Sequence, residues 1–271
     1  MLGKLIKYEF KATARIYLPF FVLLVLLTGV NRLFIEIGGA GYTPQYMKIP
    51  SIVTVILYFV ALAAVFVITM VATIQRFYKN FMTDEGYLMF TLPVTKDRLI
   101  LSKLIVAVIW NILSTVIAAL SLFFLFIDGK LWGELWTGVS ATAARAAENG
   151  INLPLLVAIG LLTLLVGIVS GILQMYASIV IGCLSSRHKL ILGLGAYWGF
   201  SMVTQIASLL VMPYVTNWLS DITNQGGNPS ALQIVQFVQG TLLFSMALAV
   251  VFGVAYYVVT RLMLKKKLNL E

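Results

Sequence analysis

Six long apolar runs set the limits on what this chain can fold into. They fall at about 16–37, 51–75, 104–127, 153–184, 190–215 and 231–262. A helix needs about 20 apolar residues to cross roughly 30 Å of hydrocarbon, and every run meets that length. The alternative spanning structure, a barrel, requires short segments of strict alternation, and no such pattern is visible. Of the 271 residues, 61% are hydrophobic and 11% charged, against about 25% charged in soluble domains. The sequence therefore predicts an all-α polytopic protein: one membrane domain over 1–271 with six transmembrane helices.

Six spans place both termini on one side, and the basic residues choose the side. Lys4, Lys7, Lys11, Arg15, the 76–103 segment, the 185–189 turn and the C-terminal stretch hold 15 of the 19 Lys and Arg residues. Asp and Glu divide equally between the two sides, so the asymmetry lies in Lys and Arg, as the positive-inside rule requires. The expectation is a multi-pass protein of a cytoplasmic membrane with both termini and the 76–103 loop cytoplasmic. The segments 38–50, 128–152 and 216–230 are then external. The net charge of +9 is read as this bias and not as a nucleic-acid surface. The first apolar run is too long for a signal peptide and has no small-residue cleavage site behind it, so no cleaved leader is expected.

Residues 1–15 read as an amphipathic interfacial helix. Lys4, Lys7, Lys11 and Arg15 form one stripe, with Leu2, Leu5, Ile6 and Ile16 opposite; such a helix rests on anionic lipid or on a partner. Glu9 projects from the apolar side. Two readings are open for it: a surface ion pair at the helix edge, which we take first, or a buried contact with the 76–103 segment. Trp132 and Trp136, one turn apart, suggest a second interfacial helix within 128–152. The fourth run is 32 residues, about 48 Å as helix, so it must tilt, bend or project. Gly160, Gly167, Gly171 and Gly182 leave room for bending. The patterns Gly167-x-x-x-Gly171 and Gly195-x-x-x-Gly199 are read as close packing within the bundle first and as a dimer contact second.

Several chemistries are missing. No GxxxxGK[ST] phosphate loop occurs, since Leu131 follows Gly129-Lys130, so ATP hydrolysis is not expected on this chain. HExxH and GxSxG are absent. A single cysteine, Cys183, excludes an intrachain disulfide, and a single histidine, His188, cannot build a metal cluster. We expect no enzyme activity, no metal and no cofactor in this chain. Spans two to six carry no ionisable residue between their ends, which argues against a proton-coupled carrier. Asn111, Gln174 and Gln205 are candidates to line a path, though interhelical hydrogen bonding is the plainer role for such residues.

The segment Arg76–Lys103 is the main polar interruption. Thr83 or Asp84 would cap a short helix, with Glu85 in its first turn and Tyr87, Leu88 and Phe90 as its apolar surface. Pro93 ends it. Thr95 then caps the third span, with Asp97 in the first turn. This design attaches the short helix to a membrane helix without a slack connection.

Asp84-Glu85-Gly86-Tyr87-Leu88, then Thr91-Leu92-Pro93-Val94, then Leu99 to Leu104, resembles the first cytoplasmic loop of bacterial ATP-binding-cassette permeases of the type-2 class. The N-terminal amphipathic helix, the six spans and the two cytoplasmic ends extend the resemblance over nearly the whole chain. It implies that Asp84, Glu85, Tyr87, Leu88 and Phe90 form a coupling helix seated in a separate cytoplasmic ATPase subunit, which holds ATP and Mg. It implies that Lys4, Lys7, Glu9 and Lys11 belong to the interface helix. It also implies a dimer with a second permease copy or a paralogue, and export of drugs, peptides, lipids or polysaccharide carriers. The alternative is a non-transporting membrane scaffold, or an accessory or immunity subunit of a membrane complex.

Overall fold

The computed structural model describes residues 2–39, 45–82, 95–127, 129–185, 187–224 and 230–267. Among them the regular structure is helical and no strand occurs. The helices are α1 (Leu2–Gly39), α2 (Gln45–Met82), α3 (Lys96–Phe126), α4 (Gly129–Glu148), α5 (Leu153–Gly182), α6 (Lys189–Ser208), α7 (Met212–Asn224) and α8 (Ala231–Lys267). Six stretches are long and apolar enough to cross a membrane: Gly3–Ile37, Lys48–Met82, Asp97–Phe126, Leu153–Gly182, Lys189–Trp218 and Ala231–Leu264. The chain is a multi-pass helical membrane protein.

The helix ends follow local chemistry. Asn152 caps α5 by accepting the Leu155 N–H at 3.1 Å, with proline in the first turn. At α8, Ser230 and Gln233 form a reciprocal box: Ser230 N–H donates to Gln233 Oε1 at 2.9 Å, and Gln233 N–H donates to Ser230 Oγ at 3.3 Å. Thr95 takes the capping position of α3, but its side chain makes no capping bond. Its carbonyl accepts the Arg98 and Leu99 amides instead. Between α6 and α7 the chain tightens into a 3₁₀ turn, Leu209–Val211. Pro213 has no N–H to offer the Leu209 carbonyl, and the Met212 amide bonds it from three residues on.

Several boundaries differ from the sequence reading. The second helix continues past 75, through Arg76, to Met82, and residues 216–224, read as part of an external loop, belong to α7. Residues 2–15 are not a helix set apart from the first span, because α1 runs without interruption through Leu2–Gly39 and holds Pro19 inside it. At 38 residues α1 is about 57 Å long, more than bilayer core and headgroups together. The second helix begins at Gln45, before Pro50, and not after it. Pro50 falls in the second turn of α2, where a proline takes one i→i−4 hydrogen bond from the helix near its start.

The fold divides into two compact units, Met1–Gly133 and Glu134–Glu271, the boundary falling within α4. In the first unit α1, α2 and α3 pack mutually. Tyr17, Phe21 and Leu24 of α1 meet Tyr58, Ala61, Val65 and Ala72 of α2 and Val106, Trp110 and Leu125 of α3. Hydroxyl pairs stitch α2 to α3: Tyr58 to Ser121 at 2.9 Å and Thr69 to Ser114 at 2.8 Å. Between apolar helices such bonds average about 0.6 kcal/mol and fix register.

In the second unit α5 packs on α6 and α8. Gly182 is where α5 meets the start of α6: an added Cβ would lie 2.6 Å from the Lys189 carbonyl oxygen and 2.7 Å from Gly193 Cα. Its role is this close approach and not bending. Gln174 Nε2 donates to Ser201 Oγ at 2.8 Å, and the Thr204 and Tyr256 hydroxyls lie 3.3 Å apart. Phe237 of α8 stacks on Tyr214 and Trp218 of α7. The glycine patterns do not pack as first expected. A Cβ at Gly167, Gly171, Gly195 or Gly199 would meet nothing within 4 Å.

Candidate functional site

The first unit concentrates polar chemistry at the end where α2 stops and α3 begins. On α1, Ile6, Phe10 and Ala14 turn toward the core, whereas Lys4, Lys7, Lys11 and Arg15 are exposed. Glu9 is the one acid on α1's buried side, among described residues, at this end. It forms an ion pair with Lys103 of α3, with side chains only 11% and 6% exposed respectively. Asn80 Nδ2 of α2 reaches the other carboxylate oxygen at 3.5 Å. The edge ion pair taken first from the sequence is not what forms. An exposed pair would be worth little, and here Lys103 sits where the flank of α3 is already buried, so an acid had to be brought to it.

Neighbouring contacts extend this clamp. Arg76 Nη2 donates to the Ala12 carbonyl at 2.8 Å, tying α2 to α1. Trp110 of α3 lies between Phe10 and Tyr17 of α1, with ring centroids 4.7 and 4.4 Å away and nearly parallel planes. Its indole N–H donates to Thr13 Oγ1 at 2.7 Å, and Thr13 in turn donates to the Glu9 carbonyl at 2.8 Å. Phe10, Thr13 and Tyr17 are spaced to share one helix face. Each stacked pair contributes about 0.5–1.5 kcal/mol beyond its buried area.

Both flanks of the 83–94 segment are therefore held. On the α2 side Phe77, Asn80 and Phe81 are buried, and on the α3 side Leu99, Ile100, Ser102, Lys103 and Leu104 are buried. Asp84, Glu85, Tyr87, Leu88 and Phe90 lie outside the described residues. Lys4, Lys7 and Lys11 line the exposed face of α1, beside an exposed Tyr8.

The three polar residues considered for a path have separate surroundings. Asn111 bonds back to the Ala107 carbonyl of its own helix at 2.9 Å. Gln174 bonds across to α6, the plainer of the two roles considered for it. Gln205 is exposed on α6.

Sequence reasoning missed Arg76, Asn80, Thr13 and Trp110 as members of one cluster. A signal was present: Arg76 and Asn80 are four apart on one helix face, and Lys103 opens an apolar run that supplies no acid of its own. In comparisons with known proteins, no family model, no curated protein and no solved structure matches this chain.

Proposed function

We propose that this chain is the membrane-spanning permease subunit of an ATP-driven exporter of the cassette type. ATP hydrolysis takes place on a separate cytoplasmic subunit that carries ATP and Mg. A second permease, a copy or a paralogue, completes the membrane path in a bacterial cytoplasmic membrane, with both termini on the ATPase side. The observation that carries this reading is the Glu9–Lys103–Asn80 clamp, which joins α1 to both helices that flank the 83–94 segment. Force applied to that segment meets a rigid body of three helices and not a slack loop. A scaffold has no need of this rigidity at a loop.

The sequence of Asp84 to Val94 supports the same reading, as does the lack of Asp, Glu, Lys, Arg and His in the central stretches 49–75, 104–126, 153–182, 190–218 and 231–260 of spans two to six, since energy for uphill movement must then come from outside the spans. In operation, ATP-driven closure of the motor pair would move the coupling helix, and α1, α2 and α3 would tilt together. The test is gentle solubilisation of the tagged chain from native membranes. A cassette ATPase should co-purify with wild type and be lost from the Glu85→Arg, Leu88→Asp double variant. Absence of any ATPase from both preparations would sink the proposal and favour the scaffold.

A further inference from the structure

The first unit carries a half-open groove of ≈ 490 Å³ between α1 and α3 at the end opposite the clamp. Val25, Gly29 and Arg32 form one wall, and Leu120, Phe124 and Ile127 are among the residues of the other. Thr28 and Ser121 also line it, but their hydroxyls are bonded to the Leu24 carbonyl and to Tyr58, so apart from Arg32 at its end the surface offered is mainly apolar. Along α1 the groove runs from Val25 to Arg32 and along α3 from Ile117 to Ile127, or about 10–15 Å at 1.5 Å per residue. That matches one leaflet of a hydrocarbon core about 30 Å thick.

Arg32 marks the rim. Between Arg15 and Arg32 α1 holds no charged residue. Arg15 and Arg32 are 17 residues apart, about 26 Å, so with their long side chains they mark the two faces of a bilayer core. Arg32 Nε donates to Glu36 Oε1 at 3.0 Å. A guanidinium has five N–H donors, and this bond uses one. The terminal nitrogens remain to receive a phosphate at headgroup depth.

We infer that this groove is a binding site for an anionic glycerophospholipid, with one acyl chain between α1 and α3 and the phosphate on Arg32. The inference is independent of the transport reading. It makes the groove a selective lipid site and not merely a surface wetted by lipid. Glu36 then opposes the headgroup and sets the strength of the selection.

The structure supplies a clean variant. A Cβ at Gly29 meets nothing within 4 Å, so Gly29→Leu can enter the groove without straining the backbone. Leu120→Trp fills it from the other wall, should the first variant fail to fold. The experiment is native mass spectrometry of the full chain in detergent with added phosphatidylglycerol, phosphatidylcholine or diacylglycerol, run beside size-exclusion chromatography. Wild type should retain one phosphatidylglycerol in preference to diacylglycerol by roughly tenfold, as a charge-assisted contact predicts. Arg32→Gln should abolish that preference, and Glu36→Gln should increase it. Gly29→Leu or Leu120→Trp should lose the retained lipid altogether. Equal retention of phosphatidylglycerol and diacylglycerol by wild type would overturn the inference, as would unchanged lipid retention in a folded groove-filling variant. A change in oligomeric mass without a change in lipid would show that a second copy of the chain covers the groove, which also overturns it.

Discussion

Glu9 and Lys103 form the contact whose loss should be felt most strongly at a single residue. Removing one partner strands the other charge in a buried site, which costs about 3–5 kcal/mol. Glu9→Gln and Lys103→Met should each lower the thermal midpoint in detergent by many degrees, read by tryptophan fluorescence. The exchange Glu9→Lys with Lys103→Glu should recover a substantial part of the loss. No recovery would mean that the pair is not a specific contact. Asn31 makes the opposite case. It is buried, it donates to the Leu27 and Thr54 carbonyls, and its own Oδ1 accepts nothing among the described residues. Both acceptors lie within helices, so Asn31→Leu leaves no carbonyl dependent on it and removes an unsatisfied oxygen. We expect a stability change under about 1 kcal/mol, measured by the same unfolding experiment.

Among the elements, α1 shows how much of the fold was legible and where legibility stopped. The lysine stripe at 4, 7 and 11 and the apolar run from 16 predicted two helical pieces correctly in type. They could not show that the pieces are one rod, because nothing between Arg15 and Ile16 breaks a helix and interfacial and spanning helices share the same local preferences. Pro50 misled in the other direction, since a proline near a helix start reads like a boundary. Glycines were hardest to assign, for spacing does not say what lies opposite. Gly182 touches backbone and Gly167 faces open space. Gly182→Ala should therefore force α5 and α6 apart and destabilise the second unit. Gly167→Ala should be neutral or gain up to about 1 kcal/mol from helix propensity. Equal effects at the two positions, measured as thermal midpoints, would contradict the packing described. Trp110→Ala, which empties the slot between Phe10 and Tyr17, should cost about 3–5 kcal/mol.

For the whole molecule, the six membrane-crossing helices were written in the length and hydropathy of the runs, and the structure places them within a few residues of those limits at most ends. The clamp was legible only as a question about Glu9. Its answer needed long-range pairing: Glu9 meets Lys103 across 94 positions and Asn80 across 71, and no local pattern encodes such partners. In the proposed machine the motor is another polypeptide, gripping the segment between α2 and α3. A photoreactive residue placed at Leu88 in native membranes should capture that partner. The expected adduct carries partner peptides with a GxxxxGK[ST] phosphate loop and disappears when Glu85 is changed to Arg. An adduct with lipid alone, unaffected by that change, would contradict this reading.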